Sequence, residues 1–284
     1  MKKILVPTDF SETALKALVY AAEIALKSAG TVYLLHVITP DENRVWRPHV
    51  REDDYGKALT KERLTKLDSA WKSMLHTYPD VNIVTELANG PVTTAILDFA
   101  EQQQMDLVVM GTTGASGLKQ LLMGSVAAST IGKTAVPVLT VPASYEMKEP
   151  RCLLFATNNF EEDKQLLQPL VKLATWFSAA VHVAVFVDTD DAQPEDYIHF
   201  GRKLDEYTVR LKKMYADVVI TSELLEGSRF EETLEAAAAR LEADLVVMVT
   251  YQKKFLERIT GRSMTRRMAW HATIPLLALP APRS

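Results

Sequence analysis

The sequence predicts an α/β fold of two tandem doubly wound domains, each a five-stranded parallel sheet with helices on both faces. Short apolar runs rich in β-branched residues alternate with longer amphipathic segments, which is typical of parallel strands joined by crossover helices. The run Asp-Leu-Val-Val-Met at 106–110 also recurs at 244–248. Recurrence at a long, fixed offset indicates a duplicated structural unit.

Two further repeats define the extent of the duplication. At the same offset, the apolar segment 136–142 recurs as 274–280. Near the start of each half, Ile-Leu-Val-Pro-Thr-Asp at 4–9 is echoed by Leu-Leu-Phe-Ala-Thr-Asn at 153–158. The offset between the two starting segments is larger than the offset between the two later segments, so the second copy has a shorter middle.

We therefore predict homologous domains at residues 1–143 and 151–284, with a polar, proline-bounded linker at 143–150. The turn at 8–11 fits a cap before the first helix, and a Gly-Pro pair opens the third. The polar connection from 39 to about 55 is expected to be a lid or a surface loop. In the first domain, strands are predicted near 3–7, 31–37, 81–86, 106–110 and 136–141, and helices near 12–29, 58–77, 92–104 and 124–134. In the second domain, strands are predicted near 152–156, 181–187, 218–223, 244–248 and 274–279.

Composition narrows the functional classes. The 284-residue chain has no apolar run of about 18 residues, and the run at 4–6 is too short for a signal peptide, so we expect a cytoplasmic protein. The single cysteine, Cys152, excludes an intramolecular disulfide and a cysteine-rich metal site. A net charge of −4 gives no reason to expect a nucleic-acid or membrane partner.

The glycine pattern after the fourth strand predicts a phosphate site. Gly-Thr-Thr-Gly at 111–114 follows the apolar run directly, and Gly-Ser at 124–125 comes nine residues later. Glycine lets backbone N–H groups approach an anion closely, and a serine at a helix N-terminus adds a hydroxyl and the positive end of the helix dipole. The spacing matches neither the nucleotide P-loop nor the dinucleotide-binding fingerprint.

Three strand ends are expected to converge on this phosphate site. Segments 7–9, 37–38 and 111–112 each end a predicted strand at its carboxyl end. In an open α/β sheet, ligands bind beyond those ends, at the point where the strand order reverses. The three segments would therefore line one crevice.

The spacing of the glycines resembles the ATP-binding motif of the universal stress protein family. Four other segments are similar to that family in the same order, at 2–11, 31–37, 90–91 and 135–142. The resemblance covers residues 1 to about 143. It implies an adenine nucleotide alpha hydrolase-like fold with strand order 3-2-1-4-5, and a cytosolic stress-response protein that binds ATP and acts as a nucleotide-dependent sensor or regulator.

The resemblance also implies residue roles. Val37 would hydrogen-bond the adenine edge through its backbone, and Asp9 would lie near the ribose or bind a metal ion such as Mg²⁺ or Mn²⁺. The glycines and Ser125 would hold the phosphates. The implied nucleotide-binding residues are Pro7, Thr8, Asp9, Val37, Met110, Gly111, Thr112, Gly114, Gly124 and Ser125.

Each assignment has a structural alternative. Val37 could be ordinary strand core, and Asp9 could simply cap the first helix. Gly111 and Gly114 could be present merely because a turn requires them, although the correctly spaced Gly-Ser pair argues against that alternative. Ser125 could be only an N-cap, but an N-cap hydroxyl and an anion can share one helix end.

The loop departs from many family members, which carry a basic residue where this chain has Thr113 or Ala115. The nearest cation is Lys119, so phosphate would be held mainly by backbone amides and by hydroxyls such as those of Thr112 and Ser116. No general base with an activated water can be placed. We therefore predict no catalytic residue, and we do not expect an enzyme.

The second domain has lost the motif. Val249, Gln252 and Arg262 stand where the first domain has glycines, and Asn158 replaces the aspartate. Since a Cβ at the glycine positions blocks the approach of backbone to phosphate, we expect one ATP per chain. Nearby basic residues are interpreted as a solvated helix face, with an anion or partner site as the alternative. They are Lys253, Lys254, Arg258, Arg262, Arg266 and Arg267.

Two other functions compete with the ATP-binding regulator. One is an adaptor with a vestigial nucleotide site, which the intact glycine set disfavours. The other is a slow ATPase, which the missing cation and the lack of a catalytic constellation disfavour. For assembly, the apolar strands at 136–141 and 274–279 predict that the two domains pair within one chain as a pseudo-dimer, and a homodimer is compatible with this.

Overall fold

The computed structural model describes residues 1–39, 52–112, 124–251 and 273–282. The chain divides into two compact units, Met1–Met147 and Lys148–Ser284. Each unit contains five parallel strands with helices in the connections between them, so the predicted α/β fold class is confirmed. Within the described ranges, no helix combines the length and apolar character needed to cross a bilayer.

The first unit alternates strands and helices as a doubly wound sheet requires. Its strands are β1 (Lys3–Pro7), β2 (Thr31–Ile38), β3 (Asn82–Asn89), β4 (Leu107–Gly111) and β5 (Val138–Val141). Its described helices are α1 (Glu12–Ser28), α2 (Glu52–Leu75), α3 (Val92–Gln102) and α4 (Ser125–Lys133). All pairings are parallel in the order β3-β2-β1-β4-β5, which is the predicted strand order.

The second unit repeats this architecture. Its strands are β6 (Cys152–Ala156), β7 (Ala180–Asp188), β8 (Ile220–Gly227), β9 (Leu245–Thr250) and β10 (Leu276–Pro280). Its described helices are α5 (Lys164–Phe177), α6 (Pro194–Met214) and α7 (Phe230–Arg240). The parallel order β8-β7-β6-β9-β10 is that of the first unit, with β6 in the place of β1.

The core lies on both faces of each sheet. Ile4, Leu5 and Val6 are consecutive in β1, and none of them has exposed surface. Leu153 and Leu154 of β6 are equally buried. Because successive strand residues point to opposite faces, consecutive buried residues show that both faces of these central strands are covered.

An aspartate anchors the first strand of each unit. Asp106 Oδ2 accepts hydrogen bonds from the backbone N–H groups of Lys2 and Lys3, at 2.5 and 3.0 Å. In the second unit, Asp244 Oδ2 accepts from the two equivalent N–H groups, at 2.6 and 3.0 Å. The aspartate that begins each repeated Asp-Leu-Val-Val-Met run therefore performs the same structural task twice.

Helix α2 begins earlier than the sequence predicts. It starts at Glu52, inside the polar connection expected to be a loop, whereas 40–51 lie outside the described residues. Its sequence has little apolar patterning, but Lys66 pairs with Glu62 at 3.0 Å and Lys72 pairs with Asp68. Such i,i+4 ion pairs support a helix on a surface where hydrophobic periodicity gives a weak signal.

The predicted linker is partly packed rather than loose. Tyr145 is 5% exposed, and its ring centroid lies 6.0 Å from that of Tyr20 in α1. Lys16 Nζ donates to the Ala143 carbonyl and pairs with Glu146, each at 2.7 Å. The first half of the segment 143–150 therefore packs on the first unit. The pairing of β5 with β10 stays a prediction.

Candidate functional site

The carboxyl ends of β1, β2 and β4 meet where the strand order of the first unit reverses. The chain runs from β1 outward through β2 to β3, and then returns to the other side of β1 through β4. Pro7 ends β1 opposite Leu35 of β2, and continuing the register of β1 with β4 places Pro7 beside Met110. Pro7, Thr8 and Met110 therefore lie at the position where ligands bind in open α/β sheets.

Val37 presents its backbone beyond the end of β1. Thr8 N–H donates to the Leu35 carbonyl at 2.8 Å, so Leu35 points toward β1. Alternate residues of a parallel strand bond to the same neighbour, and the N–H and C=O of Val37 therefore point the same way. Ile38 faces the other side, where it accepts from Gly90 N–H at 3.1 Å. The Val37 side chain is buried in the core, while its backbone edge faces the crevice.

Asp9 lies in the turn that begins α1. Its Oδ1 accepts from Ser11 N–H at 3.0 Å, and Ser11 caps the helix by accepting from Ala14 N–H at 3.2 Å. Asp9 therefore supports the turn that caps the first helix, which is the structural role that the sequence analysis gave as the alternative to ligand binding. Asp9 is exposed, and the two acceptor oxygens of a carboxylate suit a ribose hydroxyl or a cation.

Two aromatic residues that the sequence analysis missed hold this turn in place. The Phe10 and His36 ring centroids lie 4.5 Å apart, and His36 Nδ1 lies 2.8 Å from the Thr8 carbonyl oxygen. Phe10 has a φ of 65°, which is the left-handed region that a residue other than glycine occupies only when its surroundings favour it. These contacts fix the direction in which the chain leaves β1.

Gly111 is required by packing. A Cβ at this position would lie 2.6 Å from Thr13 Cγ2 and 3.2 Å from the Thr13 backbone carbon. A side chain at position 111 would therefore force Thr13 in the first turn of α1 to shift. Sequence reasoning gave this glycine a role in phosphate binding or in a turn and missed its packing against α1, because no sequence pattern shows which helix turn lies against the strand end.

Thr112 and Gly124 bring the two ends of the glycine motif together. Gly124 N–H donates to the Thr112 carbonyl at 2.5 Å, and Thr112 N–H donates to the Val141 carbonyl at 3.0 Å. The chain therefore leaves the sheet at Thr112 and returns to the same place at Gly124. Gly114 falls within 113–123, outside the described residues.

Helix α4 begins without a capping hydrogen bond from the side chain of its N-cap residue. Gly124 is its N-cap, and Ser125 is the first helical residue rather than the cap. Ser125 is exposed. Because the first N–H groups of a helix have no intrahelical acceptor and lie at the positive end of its dipole, α4 offers an anion-binding end at this edge of the sheet.

Within the described ranges, no three or more His, Cys, Asp or Glu residues are grouped so that they could hold an ion. Asp9 is the carboxylate that the resemblance assigns to a metal ion. A hard divalent cation beside it would take its other oxygen ligands from phosphate and water, which is the usual arrangement for Mg²⁺.

Comparison with known proteins identifies the family. The model of the universal stress protein family matches residues 1–142 and again 151–280. The chain belongs to the universal stress protein family. The predicted tandem of two such domains is confirmed by the double match.

Individual universal stress proteins support this assignment. MJ0531 of Methanocaldococcus jannaschii is 36% identical over 149 residues, covering 49% of this chain and 81% of that protein. MJ0577 of the same species is 32% identical over 158 residues, covering 49% of this chain and 94% of that protein. A universal stress protein from Archaeoglobus fulgidus superimposes with a TM-score of 0.67, 16% identity and 98% coverage of both chains, which shows the shared fold.

The second universal stress domain builds the same corner differently. Thr157 N–H donates to the Ala184 carbonyl at 2.9 Å, directly after the last paired residues of β6 and β7. This bond repeats the one from Thr8 N–H to the Leu35 carbonyl in the first domain. Asn158 comes next, where the first domain has Asp9. Its Nδ2 donates to the Phe186 carbonyl at 2.8 Å, and its Oδ1 accepts from Phe186 N–H at 3.1 Å. By register, Phe186 is the counterpart of Val37.

A glutamate that the sequence analysis missed lies beside Asn158. Glu161 Oε1 accepts from the Tyr251 hydroxyl at 2.7 Å, and Glu161 Oε2 accepts from the Thr157 hydroxyl. Its carbonyl accepts from the Tyr207 hydroxyl at 2.5 Å. Burial and the Glu161 carboxylate raise the pKa of Tyr251 to about 12. Val249 lies in β9, whereas Gln252, Arg262 and the basic cluster fall outside the described residues.

Proposed function

We propose that this universal stress protein binds one ATP molecule per chain, in its first unit, and acts in the cytoplasm as a nucleotide-dependent regulator of a stress response. The observation that carries the proposal is the return of the chain from Thr112 to Gly124. That hydrogen bond brings the start of α4, where Gly124 is the N-cap, next to the strand ends that present Thr8 and Val37.

The Val37 backbone suits an adenine base. Its N–H and C=O lie on one strand edge and face the crevice, which provides one donor and one acceptor side by side. Adenine presents the complementary pair, an amino donor and a ring nitrogen acceptor. A base held in this way would be recognised by backbone alone, so the identity of the side chain at 37 would matter mainly for core packing.

The phosphates would lie toward α4. The N–H groups of its first turn and the exposed Ser125 provide donors at the same edge. Among the described residues that end β1, β2 and β4, no lysine or arginine supplies charge, so a divalent cation bridging Asp9 and the phosphates would contribute more to affinity than in a site with a basic loop.

We propose that any ATP hydrolysis at the site is very slow. A phosphoryl-transfer enzyme needs a group that positions the attacking water and cationic groups that stabilise the transferring phosphoryl. The described residues at the carboxyl ends of β1, β2 and β4 provide neither. Purified protein with Mg²⁺ or Mn²⁺ should therefore release phosphate far more slowly than the ordinary enzyme rate of about 10 per second, and sustained turnover near that rate would refute this proposal.

Calorimetric titration of the full chain with ATP tests the proposal. We expect one binding event per chain, abolished by Gly124→Leu because a side chain there would obstruct the amides at the helix start. Arg262→Leu, the position that corresponds in the second domain, is the matched control and should retain binding. Two equivalent sites, or unchanged affinity in Gly124→Leu, would contradict the proposal and favour the adaptor with a vestigial site.

A further inference from the structure

We infer that Asn158 and Glu161 fill the nucleotide crevice of the second unit with the chain's own side chains, and so restrict nucleotide binding to the first unit. The inference deepens the proposed function and rests on it for the role of the Val37 edge. Asn158 takes the place of the base, and Glu161 takes the place of the phosphate. Both are therefore specificity-determining residues.

The Asn158 carboxamide has the hydrogen-bonding pattern of the adenine edge. It offers one donor and one acceptor, and it uses both on Phe186, at 2.8 Å to the carbonyl and 3.1 Å from the N–H. Phe186 corresponds by register to Val37. The backbone groups that would recognise adenine in the first unit are thus already paired within the chain in the second.

An aspartate cannot make this pair of contacts. An ionised carboxylate has two acceptor oxygens and no donor, so it would be repelled by the carbonyl of the strand edge. In the first unit, Asp9 instead accepts from Ser11 N–H within its own turn. The difference between the two units at this position therefore comes down to one hydrogen-bond donor.

Glu161 closes the other half of the crevice. Thr157 directly follows β6 and Tyr251 directly follows β9, and both donate their hydroxyls to the Glu161 carboxylate. The carboxylate thus bridges the ends of the same two strands that correspond to β1 and β4. An anion fixed there repels a phosphate and uses up the donors that could have bound one.

The next residue provides an internal control. Glu162 directs its carboxylate to Arg210 on α6, with Oε1 2.6 Å from Nε. It carries the same charge as Glu161 but takes no part in the contacts between β6 and β9. Replacing Glu162 should leave the crevice closed.

Amide resonances of the isotopically labelled full chain, titrated with adenosine and with ATP, test the inference. In the wild type, the Val37 amide should respond to ATP, and the Phe186 amide should respond to neither ligand. In Asn158→Ala and in the isosteric Asn158→Asp, the Phe186 amide should respond to adenosine at concentrations at least about tenfold below the highest one that leaves the wild type unchanged, as two released backbone groups allow. Adding Glu161→Gln should extend the response to ATP, whereas adding Glu162→Gln should not.

The possible outcomes distinguish a failure of this inference from a failure of the proposed function. A Phe186 amide that responds to either ligand in the wild type would overturn the inference, because the crevice would then be open. An unresponsive Phe186 amide in both folded Asn158 variants would overturn it as well, since the carboxamide would not be what closes the site. A silent Val37 amide in the wild type would instead refute the proposed function. If Asn158→Ala does not fold, the isosteric Asn158→Asp variant decides.

Discussion

In the first unit, Asp9 turns toward the N–H of its own helix cap, and the backbone edge of Val37 faces the crevice. In the second unit, Asn158 turns toward the strand and bonds to both backbone groups of Phe186, at 2.8 and 3.1 Å. The two side chains have nearly the same shape and differ in charge and in one donor group. Duplicated domains with the same strand order therefore differ in the backbone groups that the side chain at a single loop position engages.

The loop that follows the first strand also differs between the two units. Residues 8–11 connect β1 to α1, whereas the longer segment 157–163 connects β6 to α5, where Asp163 is the N-cap. The additional residues bring Glu161 between the strand ends. They also move the helix start along the chain, so the close approach of Thr13 to Gly111 has no obligatory counterpart at Val249.

Exchanging the residues at the end of β4 and β9 should produce the largest effect. Gly111→Val introduces atoms that would lie within 2.6 Å of Thr13 in the wild-type packing. We expect the free energy of unfolding of the first unit to fall by about 2–3 kcal/mol, as overpacked cores show. Urea denaturation followed by circular dichroism measures the change.

The reciprocal Val249→Gly sharpens this prediction. It should cost less, about 1–2 kcal/mol, because it removes a half-buried side chain without a clash. Combining Gly111→Val with Thr13→Ser, which deletes Cγ2, should recover part of the loss. Equal costs for the two exchanges would show that the glycine is not required by packing with α1.

The strand-anchoring aspartates test whether the two units share one structural device. Asp244→Asn should lower the free energy of unfolding of the second unit by about 1–2 kcal/mol, because an amide accepts more weakly from the two N–H groups than a carboxylate does. Asp106→Asn is the matched variant in the first unit and should behave alike. An effect in one unit alone would show that the shared sequence run does not perform a shared task.

The pH dependence identifies the charge of Asp244. Burial alone would raise the pKa of Asp244, but hydrogen bonds from Lys148, Arg151 and Cys152 outweigh it and lower that pKa below its usual range. The stabilisation is therefore complete above the unfolded-state pKa of about 3.9 and is lost as the pH falls through the lower folded-state value. Unfolding of Asp244→Asn should show a smaller acid dependence than the wild type, and an unchanged dependence would contradict this.

Tyr251 reports on the Glu161 contact with a smaller signal. Its phenol should ionise near the pKa of about 12 in the wild type, and the pKa should fall in Glu161→Gln because the carboxylate no longer disfavours the phenolate. Its contribution to stability is present below the unfolded-state pKa of about 10 and is lost as the pH rises toward the folded-state value. Ultraviolet titration of the wild type and of Glu161→Gln follows the ionisation of the phenol. The signal that disappears in Tyr251→Phe is the one that belongs to Tyr251. Glu162→Gln should leave it unchanged.

The smallest effect concerns the linker. Glu146 is exposed where it pairs with Lys16 at 2.7 Å. Glu146→Gln should change the free energy of unfolding by less than about 0.5 kcal/mol, since exposed ion pairs contribute little. Tyr145→Ala should cost several times more, because it removes a buried ring beside Tyr20. A large effect of Glu146→Gln would mean that charge rather than packing holds the segment.

The sequence by itself determined the duplication and the alternation of strands with helices, and the resemblance to the family implied the strand order. The ligand crevice stays a prediction. Repeated apolar runs and their alternation with helical segments specify parallel strands, and the chirality and order of such connections leave few topologies. The glycine spacing then marked the fourth strand end. These features are local in the chain, so a linear pattern records them.

Only the tertiary structure decided what the individual side chains do at that crevice. Gly111 is constrained by Thr13, and Asn158 bonds to Phe186, because the packing of α1 and the register of β7 bring together residues that are far apart in the chain. Glu161 gave no sequence signal, since an acidic residue in a polar loop is ordinary until its partners are known. Hydrogen bonding depends on distances and directions between atoms of different elements, and those are set when the elements pack.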